Sequence, residues 1–193
     1  MKIPAFLFSI KLLDSIRPLS DELKAYLQKA MYVRNFKKGE TISEAGTYCN
    51  QMYVIKSGLV RGYFVSNNKE ITTWISCENE LVTSISGFFQ NKPCRENIET
   101  LEEVKAEVLD FSDLKYCLKH FPEMIEINRI LLEQYYIHAE ERAFIARIPG
   151  AVERYNYFAK SGNRHLLQRV PHKHLASLLG MRPETFSRII KLA

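Results

Sequence analysis

No apolar run in this chain approaches the roughly 18 residues that a membrane helix needs, so no spanning segment is expected. The apolar stretch around Phe6, Leu7 and Phe8 lacks a small-residue cleavage site and meets charge at once, so it does not read as a signal peptide. Four cysteines, Cys49, Cys77, Cys94 and Cys117, form no Cys-x-x-Cys pair and no zinc or iron–sulfur spacing. Reduced, mostly buried thiols in a cytoplasmic protein are the expectation. There is neither a phosphate-cradling Gly-rich loop nor a His-Glu-x-x-His. No serine or cysteine has an evident base beside it in sequence. The reading is therefore of a protein that is not an enzyme, with no catalytic residue, no metal and no cofactor.

Acidic residues are scarce in one place. From Gly150 to Ala193 there are eight Lys or Arg against two Asp or Glu, a net of +6, while the whole chain is +5. Residues 1–149 are thus close to neutral, and the positive charge sits in the last quarter. That asymmetry fits a module that displaces counterions from nucleic acid. The length of 193 residues holds one large or two small domains, and 46% hydrophobic with 25% charged residues is an ordinary globular balance.

The basic quarter ends in Arg169 to Ala193. Leu175, Ala176, Leu178 and Leu179 make an apolar face at helical spacing. Gly180 can take the positive φ that ends a helix. Pro183 suits the first turn of a second helix, because that position needs no N–H. Phe186, Ile189 and Ile190 give this second helix a buried side, leaving Glu184, Thr185, Ser187, Arg188 and Lys191 outside. The pattern is a helix-turn-helix rather than a plain αα-hairpin, with its second helix shaped for a major groove. Glu184 and Arg188 stand one turn apart on one face. Arg matches the O6 and N7 acceptors of guanine, and Glu can accept from the N4 amine of cytosine. Arg182, Thr185 and Lys191 are assigned to phosphates. His172, Lys173 and Ser187 complete the expected DNA-binding set. His172 and His174, two apart on a helix, point to different faces and are read as surface residues, not joint metal ligands.

Upstream, Leu12, Leu13, Ile16, Leu19, Leu23 and Leu27 recur at helical spacing over residues 9–30, interrupted at Pro18, with Ser20 able to cap a new helix. From Tyr32 to Phe111 the chain reads as short strands separated by Gly, Asn and Ser turns, an antiparallel roll or barrel. Ser112 is expected to cap a short helix to His120. Pro122 opens a long helix to about Ile148, roughly 39 Å at 1.5 Å per residue. On it, Ile127, Leu131, Gln134, His138, Glu141 and Ile145 form a stripe that could face a second copy. Pro149-Gly150 ends it, and Ala151 to Lys160 is a further helix. Trp74 is read as core rather than as a ligand platform.

Strands, one long helix and a C-terminal helix-turn-helix resemble the cyclic-AMP-receptor and fumarate–nitrate-reductase regulator superfamily, over about residues 10–193. The likeness is strongest at Val54-Ile55-Lys56-Ser57-Gly58 and from His172 to Lys191. It implies an α+β fold: an N-terminal antiparallel β-roll (a jelly-roll-like double-stranded β-helix) with flanking helices, a long dimerisation helix and a C-terminal helix-turn-helix. The expected domains are a cyclic nucleotide-binding-like sensor at 1–121, the dimerisation helix at 122–148 and the DNA-binding domain at 149–193. It also implies a homodimer, pseudo-palindromic double-stranded DNA as partner, room for RNA polymerase and for an unidentified small-molecule effector, and no membrane. The implied effector pocket is Ser84, Ile85, Arg95, Glu96 and Asn97.

Four departures are visible. Ile85 stands where nucleotide-binding relatives carry the Glu that holds the ribose. Glu96 stands beside the Arg of the phosphate pair, so cyclic AMP should bind weakly or not at all. A third family base contact, an Arg, is Pro183 here, and no wing follows the second helix before Ala193. Two competing readings remain: a nucleotide- or small-molecule-binding regulatory module without DNA activity, which the basic C-terminal part opposes, and a cupin-like metalloenzyme. The second would need His ligands in the roll, yet His120, His138, His165, His172 and His174 all follow it.

Overall fold

The structure, a computed structural model, describes residues 7–192; Phe6 of the apolar start and the ends of the first and last expected domains (residues 1–6 and 193) lie outside the described residues. Helices α1 (Phe8–Ile16) and α2 (Asp21–Ala30) break around Pro18. Ser20 caps α2: its Oγ accepts from Leu23 N, and Asp21 and Glu22 in the first turn complement the helix dipole.

The described strands are β1 (Tyr32–Phe36), β2 (Thr41–Ser43), β3 (Gln51–Ser57), β4 (Val60–Ser66), β5 (Lys69–Ser76), β6 (Leu81–Val82), β7 (Asn97–Thr100) and β8 (Val104–Asp110). They form two four-stranded sheets, ordered β1-β8-β3-β6 and β2-β7-β4-β5. Strands that neighbour each other in a sheet are mostly distant in sequence, which is how a roll is wound. β1 runs antiparallel to β8 from Tyr32↔Val108 to Phe36↔Val104, and β3 covers the other edge of β8. Turn chemistry links the strands that follow one another in sequence. Asn67 and Asn68 both take positive φ, the two-residue turn that matches strand twist. Gly58 has φ +98, and a Cβ there would lie 2.3 Å from Glu103 O, so only glycine lets the turn close.

A short helix, α3 (Ile85–Gln90), joins β6 to β7, and α4 (Phe111–His120) follows β8. Ser112 does not cap α4. Asp110, still paired with Gln51 of β3, is the preceding residue, and Phe111 N donates to Asn50 O at 2.8 Å. The strand runs straight into the helix, which starts a residue before Ser112 could cap it. The remaining helices are α5 (Pro122–Arg147), α6 (Ala151–Lys160), α7 (Arg164–Arg169), α8 (His172–Leu178) and α9 (Pro183–Leu192).

Two compact units result, one of residues up to Val60 with Ser76–Glu133, the other of Arg61–Ile75 with Gln134 onward. In the first, Leu23 and Leu27 of α2, Val54 of β3, Leu109 of β8, Leu114 of α4 and Ile127 of α5 share one core. α1 has no side-chain cap of its own. Glu107, buried in β8, supplies one from a distance: its carboxylate accepts from Phe8 N (2.8 Å), Ser9 N (2.7 Å) and Ser9 Oγ (2.6 Å). All four cysteines are free thiols, and burial pushes Cys117 up to about 12. No described helix is long and apolar enough to cross a membrane.

The stripe expected on α5 is corrected by burial. Ile127 is fully covered in the first core and Ile145 is buried in the second unit, so neither faces outward. Helical spacing alone did not show that the chain's own elements cover this side. The exposed apolar positions of α5 are Ile125, Leu132, Tyr135, Tyr136, Ile137 and Phe144.

Candidate nucleic-acid interface

Leu175, Ala176 and Leu179 are buried, as are Phe186 and Ile189 of α9, so each helix seats its apolar side inward. The turn between them is a Schellman closure. Gly180 takes φ +61, its N donates to Ser177 O at 3.0 Å, and Met181 N donates to Ala176 O at 2.9 Å. Arg182 O then accepts from Phe186 N at 3.0 Å as α9 starts. Tyr155 of α6 meets the Phe186 ring edge-on at 5.9 Å, and the His172 ring does so at 5.4 Å. Phe186 is thus the anchor that fixes the rotation of α9.

That rotation decides what α9 shows to solvent. Glu184, Ser187, Arg188 and Lys191 are exposed opposite Phe186, Thr185 is half-buried at the margin, and Arg182 is exposed just before Pro183. His172 and Lys173 are exposed on α8. The expected set, half-buried Thr185 apart, is thus exposed on α8, on α9 and at Arg182 just before it. His174 is corrected: it is 7% exposed, because its side of α8 is covered.

The cover is the β4–β5 hairpin, which belongs to the same unit. Thr72 N donates to Ser177 Oγ at 2.9 Å, and that hydroxyl also lies 3.4 Å from Glu70 O. Arg61, 2% exposed, pairs with the half-exposed Glu70 carboxylate, reaches Thr72 Oγ1 and stacks over the Tyr63 ring at 4.0 Å. The Arg61 hydrogen bond and charge, with the nearby charges of His174 and Lys173, hold Glu70 below the usual carboxylate range against the opposing effect of burial. Trp74 is half-buried and lies against Gly62, where a Cβ would come within 2.2 Å of its ring.

The five residues of the implied effector pocket lie around α3 and β7. Ser84 is buried just before α3, Ile85 is its first residue, Arg95 is exposed, Glu96 is half-buried, and Asn97 Oδ1 accepts from Ala45 N at 2.9 Å. Around Gly87 of α3, small side chains pack together. A Cβ on Gly87 would lie 2.9 Å from Cys94 Sγ, 3.1 Å from Ser84 Oγ and 3.2 Å from Cys49 Cβ. A cleft of about 320 Å³ is lined instead by residues such as Thr41, Ser43, Tyr48, Gln51 and Tyr53, and by none of those five. Among the described residues no group of three or more His, Cys, Asp or Glu is placed to hold a metal.

The signature of the cyclic nucleotide-binding domain matches residues 33–121. No curated protein matches the chain. Several solved structures share its fold. FixK2 from Bradyrhizobium japonicum superposes with a TM-score of 0.74 at 16% identity, over 84% of this chain and 83% of that one. A regulator assigned to the CRP/FNR family from Eubacterium rectale gives 0.72 at 16% identity, over 94% and 87%. The catabolite activator protein of Thermus thermophilus gives 0.55 at 20% identity, over 94% and 85%. The chain has the fold of the CRP/FNR regulators. The segment that matches the cyclic nucleotide-binding signature runs from β1 to just past α4.

Within this CRP/FNR fold, one residue holds the helix-turn-helix in a way the sequence did not show. Arg154 of α6 donates through Nε to Leu179 O (2.7 Å), through Nη1 to Ile148 O (2.6 Å) and Pro149 O (3.1 Å), and through Nη2 to Gly180 O (3.3 Å). It satisfies orphan carbonyls at the ends of α5 and α8 together. Counted by charge alone, Arg154 belonged to the basic surface; its donors are instead spent on the backbone. A Gly180 turn with an Arg fifteen to thirty residues upstream is too loose a signal to have found it.

Proposed function

We propose that the chain is a sequence-specific DNA-binding regulator of transcription that works as a cytoplasmic homodimer. The observation that carries this reading is the outward face of α9, where Glu184 and Arg188 stand opposite the Phe186 anchor with Arg182 and Lys191 at either end. Arg188 would read guanine, Glu184 cytosine, and Arg182, Thr185 and Lys191 would hold phosphates, with His172, Lys173 and Ser187 alongside. The domains follow as a sensor at 1–121, a dimer helix at 122–148 and a DNA reader at 149–193. RNA polymerase is the partner such a regulator acts on. The fold likeness to regulators supports the class, and the net charge of the last quarter supports the ligand.

Dimerisation would use a different side of α5 from the stripe read from sequence. Ile125, Arg129, Leu132, Tyr136, Ala139 and Ala143 recur at alternating spacings of four and three, the seam of a two-stranded coil. Ile125 and Tyr136 are more than half exposed, and the small Ala139 and Ala143 would let two helices approach closely. Two copies would then present two α9 helices to half-sites about one DNA turn apart.

Selection of bound duplexes from a random pool tests the reading. Wild type should recover a pseudo-palindrome, and Arg188→Ala should cost on the order of 1–3 kcal/mol on it while relaxing one G·C position. Unchanged base preference in Arg188→Ala would remove that residue from the reading; recovery of no sequence at all would remove the function.

A second reading, a nucleotide-binding module without DNA activity, draws on the domain signature at 33–121. Titration calorimetry separates the two. Cyclic AMP should bind no tighter than about millimolar, since Ile85 offers the ribose no acceptor and Glu96 would repel the phosphate. Micromolar affinity together with no DNA binding would favour the module.

A further inference from the structure

Two of the four cysteines, Cys49 and Cys94, are brought to one place within the first unit. Cys49 lies just before β3 and Cys94 between α3 and β7, and the backbone lays their segments side by side. Cys94 N donates to Thr47 O and Gly46 N to Cys94 O, each at 2.8 Å, and Tyr48 bridges to Pro93. Gly87 of α3 borders the same spot. A Cβ on it would lie 2.9 Å from Cys94 Sγ and 3.2 Å from Cys49 Cβ, so those two atoms are at most about 6 Å apart. Glycine keeps the space between them open. Neither sulfur is tied down strongly. Cys94 Sγ meets Ser43 Oγ at 3.3 Å, while Cys49 Sγ donates to Gln51 O at 3.3 Å and meets Thr83 Oγ1 at 3.6 Å. Thiols are weak hydrogen-bonding groups, so turning either side chain costs little.

The two thiols differ in access. Cys49 lines the cleft of about 320 Å³ beside Ser43, Thr47 and Tyr48, whereas Cys94 lies behind it and is 4% exposed. The other two cysteines are poorly placed for reaction. Cys117 is fully buried, and Cys77 Sγ lies 3.6 Å from Glu80 Oε1, a carboxylate that disfavours the thiolate. We propose that Cys49 and Cys94 form a thiol modification site that takes a small-molecule disulfide. The Cys49 thiolate attacks one sulfur of RS–SR from the cleft, forming Cys49–S–SR and releasing RS⁻. The Cys94 thiolate then attacks the Cys49 sulfur, the second RS⁻ leaves, and the internal disulfide closes. The two protein thiols lose two electrons, the small disulfide gains them, and the two thiol protons end on the two RS⁻. Turning both sulfurs into the space beside Gly87 and drawing the adjacent backbones together gives the Cβ separation of about 3.5–4.5 Å that the bond requires. In a reducing compartment such a bond is transient and signals a change of redox state. The inference needs neither DNA binding nor a cyclic nucleotide.

The test incubates reduced, folded full-length protein with glutathione disulfide at about pH 8, near the ordinary thiol range. Remaining thiols are alkylated, and intact mass and non-reducing peptide maps are read over time. Wild type should lose two hydrogens, yield a linked pair of peptides carrying Cys49 and Cys94, and return to the starting mass with dithiothreitol. Cys94→Ser should stop at one glutathionyl group on Cys49. Cys49→Ser should slow modification of Cys94 by at least about tenfold, because that sulfur does not face the cleft. Wild type that accumulates only the Cys49 adduct would show that the two sulfurs do not meet, and the proposal fails. A first link through Cys77 or Cys117 refutes it as well. So does an unreactive folded protein whose urea-unfolded form is modified under the same conditions. The wild-type map decides the matter even if a variant does not fold.

Discussion

Leu132→Asp combined with Tyr136→Glu is expected to leave the chain monomeric at micromolar concentration and to weaken operator binding on the order of 100- to 10,000-fold. Both side chains are exposed on α5, Tyr136 at 68%, so the folded monomer loses little. The proposed seam would lose its central layers, because two carboxylates from each copy would be buried against their own kind. One reader helix would then hold one half-site without the second binding event. Sedimentation and duplex titration measure the two halves of the effect. Ile127→Ala is the internal control. It lies in the first core, so it should lower the melting temperature by creating a cavity while leaving the folded protein dimeric. If Ile127→Ala dissociates the dimer and the Leu132–Tyr136 pair does not, the seam lies on the stripe of Ile127, Gln134 and His138 after all.

Glu107→Ala is expected to cost about 3–5 kcal/mol, the larger of the single-residue effects on stability. The carboxylate is 2% exposed and accepts three hydrogen bonds from the start of α1. Removing it takes the acceptor from two backbone N–H groups and a hydroxyl at the start of α1. At this chain length each kcal/mol moves the melting point by roughly 2–4 °C, so a fall of about 6–20 °C is the readout. Glu107→Gln, which keeps an acceptor, should cost less than half as much. A melting point within a degree of wild type for Glu107→Ala would show that α1 does not depend on this cap.

The elements that sequence reading recovered are those with local causes. Ser20 caps α2 because its oxygen, directly before the helical run, accepts from the N–H of Leu23 three residues on, while its O–H donates to Glu123. The Asn67-Asn68 turn and the Gly180 closure likewise follow from which residues tolerate positive φ. α3 and α7 were not legible: six residues each are too few for a period to emerge. β6, two residues long, exists only because β3 lies beside it.

At the candidate interface, the outward set on α9 was readable because Phe186 and Ile189 fix the rotation within a single helix. What escaped is what depends on long-range partners. His174 is buried beside a hairpin about a hundred residues upstream, Arg154 bonds to the carbonyls of a turn twenty-five residues away, and Glu107 caps a helix ninety-eight residues before it. Helical spacing places a residue on a side; it does not say which side the rest of the chain will cover. That is why Ile127 and Ile145 seemed free to meet a partner.

The pairing of β1 with β8 bears on how the chain is made. Tyr32 waits for Val108, and Phe36 for Val104, so the first strand has no partner in its sheet until some seventy residues later. At about 5–20 residues per second of synthesis, that is an interval of roughly 4–15 s. During it, Tyr32 and Val33, which stay partly exposed even in the finished roll, lie along an unpaired backbone edge. Nascent chains halted before Val104 would therefore hold the first two helices and the β3–β6 segment without a closed roll, and would be the form most in need of a holding chaperone.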